Sequence, residues 1–239
     1  MGARPIPRSP AVNGAERDIQ LSFLPGLDRP VGPVLQSVQV GDNADLIAAV
    51  APIYLTGSVL DVTYGRGTWW RTFRPHIFGA HDIATDGVDF RHLPYADDTW
   101  DAVTFDPPYV ESGSRATSSR PDFLHRYGLG IEREDRTKPD DVRGAMLEGV
   151  AECCRVARRF VLVKAMEYVA WHRFHDVPTA VVNRAGAEGW QLWDRIVHHT
   201  GGGIGGGYRI RTVKRAQRAH SYLLVFAPAP SSSSANGGA

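Results

Sequence analysis

The sequence predicts a doubly wound α/β fold, a mostly parallel sheet with helices on both faces and an antiparallel last strand. Three observations predict it. A short apolar run, Ser58 to Asp61, passes through a glycine-containing turn into an aromatic stretch. A second run, Trp100 to Phe105, stops at Asp106-Pro107-Pro108-Tyr109, where two prolines prevent a strand from continuing. The second half of the chain then alternates helix and strand and closes on a hairpin-like pair, the order expected of helices packed on a central sheet.

The 239 residues, 43% hydrophobic and 22% charged, suffice for one large domain with a buried core. A net charge of +1 is not that of a chain dominated by basic surface. Charge is unevenly spread, however, and Tyr208 to His220 carries Arg and Lys but no acid, which allows a local basic face. The two cysteines, Cys153 and Cys154, are adjacent in a helical stretch, poorly placed to bridge each other, and suit a reducing compartment. The N-terminus lacks an apolar signal region and a myristoylation pattern, and no run approaches membrane-spanning length. The expectation is a cytoplasmic protein with no membrane partner.

Residues 1–35, rich in Pro, Gly and Arg without a sustained period, read as a flexible arm preceding a domain over residues 36–227. Asp42 or Asn43 can cap a helix whose apolar face is Leu46, Ile47, Val50, Ile53 and Tyr54. The strand Ser58 to Asp61 follows, then Val62-Thr63-Tyr64-Gly65-Arg66-Gly67-Thr68-Trp69-Trp70, in which the aromatic end can begin a helix. Glycines let the backbone turn sharply and approach a ligand. A strand-to-helix turn also uses them for local reasons, and the third glycine of a dinucleotide fingerprint is absent.

A second strand is expected at His76 to Ala80, followed by Asp82, and a third around Val88. Six residues between Asp82 and Asp89 are too few for a helical crossover, so the link shrinks to a turn at Thr85-Asp86-Gly87. Asp97-Asp98 turns the chain into the fourth strand, Trp100 to Phe105. Residues 110–138 form a long polar loop, of a kind more often functional than idle.

Pro139, Asp140 and Asp141 open a helix that runs through Val142, Met146, Val150 and Cys153 to Arg158 and Arg159, its charges matched to the helix dipole. The cysteines are then packing residues. Phe160 to Lys164 is a fully buried type of strand, Asp176 to Glu188 a helix with Pro178 near its start, and Trp190 to His198 a strand. Glycine-rich residues 201–207 make a loop, Ser221 to Phe226 the last strand, and residues 228–239 a low-complexity tail.

In this order the chain resembles the class I S-adenosylmethionine-dependent methyltransferases, in particular the branch that methylates amino groups of nucleic-acid bases. The likeness spans residues 42–226 and rests on four places. Leu60 to Gly67 resembles the cofactor-binding first motif, and Asp82 stands where the family's strand-end acid bonds the ribose. Asp89-Phe90 matches the position flanking the cofactor adenine, and Asp106-Pro107-Pro108-Tyr109 the catalytic tetrapeptide. The resemblance implies a Rossmann-like fold, S-adenosylmethionine as cofactor, and contact with it through Asp61, Thr63, Tyr64, Gly65, Gly67, Thr68, Trp69, Asp82, Asp89 and Phe90.

The tetrapeptide also has a physical rationale. An exocyclic base amine is a poor nucleophile because its lone pair is delocalised into the ring. A carboxylate at Asp106 can accept one N–H and the Pro107 carbonyl the other, and both bonds strengthen as charge develops on nitrogen. Tyr109 can stack on a base turned out of its helix. Other readings stand beside these. Asp-Pro-Pro-Tyr also suits a plain turn, Asp61 can orient the glycine turn instead of touching the cofactor, and Asp82 and Asp89 can be solvated loop acids. Trp69 and Trp70 suit the core or a shelf for the methionine end. Lys164, at a strand end, either meets a phosphate or is solvated.

No histidine pair has metal-ligand spacing, so no metal is expected. Neither cysteine follows a strand as a C5-cytosine mechanism requires. The expected activity is methylation of adenine N6 or cytosine N4 in DNA, with target recognition by the loop 110–138 and by phosphate contacts from Arg209, Arg211, Lys214, Arg215 and Arg218. The alternatives are the same chemistry on RNA, and a non-catalytic module that keeps the fold and binds nucleic acid or a partner.

Overall fold

The computed structural model describes residues 34–107, 139–170, 173–200 and 219–230. The unit beginning at Leu35 is built on a seven-stranded sheet. Its elements are β1 (Val38–Val40), α1 (Asn43–Tyr54), β2 (Ser58–Asp61), a 3-10 turn (Thr68–Trp70), β3 (Ile77–Ala80) and β4 (Trp100–Phe105). After these come α2 (Pro139–Val156), β5 (Ala157–Ala165), β6 (Tyr168–Ala170), β7 (Arg173–His175), α3 (Val177–Ala187), β8 (Trp190–His199) and β9 (Ser221–Pro228).

The strand order is β1-β8-β9-β5-β4-β2-β3, and β6 pairs with β7 in a separate small hairpin. All neighbours in the large sheet are parallel except those of β9, which runs antiparallel to β5 and to β8. This is the expected mostly parallel, doubly wound sheet with an antiparallel last strand. The order reverses between β2 and β4: from β2 the chain moves outward to β3 and then returns to the other flank of β2. A crevice at the carboxyl ends of β2 and β4 is therefore the topological switch point, where open α/β sheets take their ligands.

Side-chain alternation along the strands divides the core between the two faces. Leu60, Val103, Val161, Val163, Leu224 and Phe226 pack with α2 and α3. Val59, Ala102, Leu162, Leu223 and Val225 pack with α1. A strand buried on both faces has no room for a polar residue at either parity, which is why these runs read as continuously apolar. Phe105 and Phe90 meet at 5.1 Å between ring centroids. A Cβ on Gly149 of α2 would lie 2.6 Å from the Phe90 ring, so a residue without a side chain is what lets the helix settle there.

The helix start at residues 42–43 is formed by Asp42, whose carboxylate accepts the N–H groups of Ala44 and Asp45 while Asp45 returns a bond to the Asp42 N–H. Four expectations need correction. There is no strand near Val88 among the described residues, so β3 is an edge strand. Arg158 and Arg159 belong to β5, since α2 ends at Val156 and Arg155 is the basic residue of its last turn. The aromatic stretch at Trp69 makes only the short 3-10 turn. Strand β9 continues through Ala227 to Pro228, past the boundary drawn for the tail.

The missing third strand has a physical reason. From Asp82 onward the backbone donors are taken by nearby carboxylates: Ala84 N–H by Asp82, Asp82 and Val88 N–H by Asp86, and Arg91 N–H by Asp89. Leu93 N–H is taken by Glu152 of α2. Local side-chain bonds of this kind compete with a strand ladder and here replace it. Asp97-Asp98 forms the expected turn, with Asp98 in the left-handed region at φ 53°. No helix among the described residues is long and apolar enough to cross a membrane.

Candidate active site at the strand exits

Strand β2 delivers Asp61 to the switch point with only 4% of its surface exposed. Its carboxylate accepts the Thr63 N–H at 2.9 Å and the Trp70 Nε1–H at 2.5 Å. Burial nevertheless pushes Asp61 up to about 7, with those two donors opposing and the negative charges of Asp106 and Asp82 adding to the shift. Asp61 thus does what the more local sequence reading allowed: it orients the glycine turn from inside.

The turn itself needs its glycines. Gly65 and Gly67 have φ of 53° and 67°, and a Cβ on Gly67 would lie 2.5 Å from the Tyr64 hydroxyl. Gly67 N–H donates to the Tyr64 carbonyl at 2.8 Å, and Tyr64 N–H to the His81 carbonyl at 2.9 Å. A Cβ on Gly65 would meet nothing nearer than 3.8 Å, so the outer side of the turn is bare backbone open to a ligand. Thr68 is exposed just beyond it. Trp69 and Trp70 are both buried in the core on the α1 side, which answers the choice between core and shelf for most of their surface.

Asp82, at the exit of β3, reaches back to this turn: one carboxylate oxygen accepts the Gly65 N–H at 3.1 Å and the other the Ala84 N–H at 3.0 Å. Strand β4 delivers Asp106, whose backbone N–H donates to the Thr63 hydroxyl at 2.9 Å. Thr63 therefore joins the two exits, giving its N–H to Asp61 and its oxygen to Asp106. Asp106 is partly exposed and Pro107 buried; Pro108 and Tyr109 lie outside the described residues.

Two predicted cofactor residues are occupied elsewhere. Asp89 is gripped by its own neighbour Arg91 through Nε at 3.0 Å and Nη2 at 2.6 Å, and those bonds hold its carboxyl below the usual range against the effect of burial. The Phe90 ring is 2% exposed and packed against Phe105. The structure brings Asp61, Thr63, Tyr64, Gly65, Gly67, Asp82 and Asp106 together, whereas Asp89 and Phe90 serve the packing of their own segment. The basic stretch Arg209, Arg211, Lys214, Arg215 and Arg218, and the loop 110–138, lie outside the described residues.

Sequence reasoning left one residue out of the site. Lys164 on β5 is neither solvated nor presented at the surface; it is 8% exposed. Its ammonium donates to the Asn43 side-chain oxygen and stands 6.0 Å over the Trp69 ring. Burial lowers its pKa, and the charge of Asp106 opposes that shift. His198 on β8 is 1% exposed and donates from Nε2 to the Gly41 carbonyl at 3.0 Å, while Nδ1 has no partner among the described residues. The available signal was a lysine closing an otherwise apolar, doubly buried strand.

No family model matches the sequence, and no curated protein matches it. Among solved structures, the chain is similar to a Thermus thermophilus protein provisionally described as a DNA modification methylase, at 10% identity and a TM-score of 0.39. That match covers 73% of this chain and 56% of the Thermus protein, so the chain spans little more than half its length. The chain is also similar to 1,6-didemethyltoxoflavin-N1-methyltransferase of Burkholderia thailandensis, at 10% identity, 79% of each chain and a TM-score of 0.41. A third similar structure is magnesium protoporphyrin IX methyltransferase of Synechocystis, at 10% identity, 78% of each chain and a TM-score of 0.40. Likeness this slight carries no argument about chemistry, which rests on the residues themselves.

Proposed function

We propose that this chain is an S-adenosylmethionine-dependent methyltransferase acting on the exocyclic amine of a DNA base, adenine N6 or cytosine N4. The observation that carries the reading is the Thr63 joint, which ties a glycine turn held by a buried acid to the exit of β4 that bears Asp106. A Cβ on Gly65 would meet nothing nearer than 3.8 Å, so the backbone there leaves room for a ligand to approach the turn. S-adenosylmethionine, when bound, supplies an electrophilic methyl group on a sulfonium.

The chain's own residues divide the remaining work. Gly65 and Gly67 keep the turn free of side chains, and Asp61 fixes its shape from within. Each carboxylate oxygen has more than one acceptor direction, so Asp82 can take a ribose hydroxyl while holding the Gly65 N–H. Asp106 accepts one amine N–H and the Pro107 carbonyl the other, which favours a pyramidal nitrogen with its lone pair available. Both bonds gain strength as positive charge grows on nitrogen, so they stabilise the transition state more than the ground state. The adenine flank is not assigned to Asp89 or Phe90.

The test is incubation of the full chain with labelled S-adenosylmethionine and mixed DNA and RNA, followed by mass analysis of the nucleosides. N6-methyladenine or N4-methylcytosine from DNA is the expected product. Label confined to RNA moves the substrate to the other polymer, and no label in any base, with cofactor binding intact, refutes the proposal.

A further inference from the structure

The exits of β2 and β4 place two carboxyl groups side by side. Asp61 is buried, Asp106 lies at the neighbouring parallel strand's end, and each raises the cost of ionising the other. Ionised, a carboxylate is acceptor-only and accepts an amine N–H more strongly than the protonated acid, which turns one oxygen into a donor. Something must therefore offset Asp61 from the other flank of β4.

Strand register supplies it. Phe105 pairs with Val163 across β4 and β5, so the next position sets Asp106 beside Lys164 on strands about 4.8 Å apart. The lysine is held there. Asn43 at the start of α1 accepts from its ammonium, Trp69 offers a ring face, and only 8% of the residue's surface is exposed. The other groups around this pair are Asp82 and Asp61 on the β2 and β3 side, Asp42 at the head of α1, and His198 on β8. Burial and the lysine's charge lower the pKa of His198, with the Gly41 and Asp42 groups opposing.

We propose that Lys164 is a positioning residue for Asp106, a buried charge partner that keeps this carboxylate ionised and aimed into the crevice beside Asp61. The inference rests on the amine-gripping role given to Asp106 above. It adds that the acceptor is the middle member of a row across β2, β4 and β5, with the Asp61 carboxyl on one side and the Lys164 ammonium on the other. Lys164 itself touches no reacting atom.

The experiment is a carboxyl-carbon NMR titration of the full chain, with the Asp106 signal assigned by its loss in Asp106→Asn. In Lys164→Met the Asp106 midpoint rises by about one pH unit or more, the usual effect of removing one nearby opposite charge. The acid limb of the methyl-transfer pH profile moves up with it. An Asp106 midpoint that stays in place overturns the proposal, because a lysine that merely fills space leaves the carboxylate's titration alone. Where Lys164→Met does not fold, the reciprocal measurement decides: in Asp106→Asn the Lys164 side-chain midpoint falls, and an unmoved one overturns the pairing. Should Asp106→Asn methylate at the wild-type rate, the proposed activity fails, while the titrations still decide whether the two residues are coupled.

Discussion

The segment from Asp82 to Asp97 and the exits of β2, β4 and β5 are both rich in charge, yet they dispose of it in opposite ways. In the segment every acid has a local use. Asp86 bonds His81 Nδ1 at 2.7 Å, whose Nε2 meets the Tyr95 hydroxyl at 2.5 Å; Asp89 holds Arg91; Asp97 holds Arg155. Arg155 also bonds both Glu152 oxygens and the carbonyls of Leu93 and Tyr95. At the strand exits, by contrast, the acids Asp61, Asp82 and Asp106 gather at the glycine turn, with the buried Lys164 on the next strand. Charge that is locally matched builds structure, and charge held out of balance at a switch point is available for chemistry.

The largest expected effect falls on the unbalanced side. Asp106→Ala lowers methyl transfer by about 10²–10³-fold, the size of a lost preorganised transition-state contact. Calorimetry on the same variant finds S-adenosylmethionine affinity changed by no more than a few-fold, since the residue faces the acceptor.

On the balanced side the effect is on stability. Arg155→Ala removes five hydrogen bonds, three of which fasten the segment to α2, and leaves Glu152 without its cation. With the guanidinium a third exposed, the loss is discounted to about 2 kcal/mol, read as a lower urea midpoint. Methyl transfer by the folded fraction stays within a few-fold of wild type. A larger drop would show that the two regions are not separate.

A smaller effect is a pH trend. Asp61 has its folded value raised from 3.8 to about 7, so its neutral form favours the native state. The stabilisation is fully present below pH 3.8 and is lost as pH rises through about 7. Urea midpoints of wild type and Asp61→Asn measured from pH 4 to 8 should therefore draw apart in the variant's favour as pH rises, and then run parallel. Least of all is expected from Arg71→Ala, which breaks an ion pair to Asp42 whose side chains are 60% and 54% exposed. Its urea midpoint should be indistinguishable from wild type.

These two regions also mark how far the sequence could be read. The β2, β4 and β5 strands were legible, and so was the face of α1 at Leu46, Ile47, Val50 and Tyr54 but not at Ile53, which is exposed, because burial on both sides of a sheet, or on one side of a helix, writes itself into consecutive residues. The helix starts at Asp42 or Asn43 and near Asp176 were also legible; the structure makes Asp42 the cap of α1, and Asp176, accepting from Thr179 N–H, that of α3. The strand expected at Val88 failed because Asp86 and Asp89, each two residues upstream, take the Val88 and Arg91 N–H groups that a ladder would need. Asp89 is held by Arg91 two residues on, a spacing that already favours local pairing. Lys164 was ambiguous until the fold brought Asn43 to it across 121 positions.

The sheet tapers toward both edges: its outermost strands, β1 and β3, have three and four residues, against nine and ten in β5 and β8. Val38, Val40 and Ile77 on those edges are exposed, the kind of apolar rim that invites a second chain to add a strand. With so few unpaired backbone groups on offer, either edge makes a poor template for such an addition. Losing the third strand therefore left the rim of the sheet short enough to resist edge-to-edge aggregation.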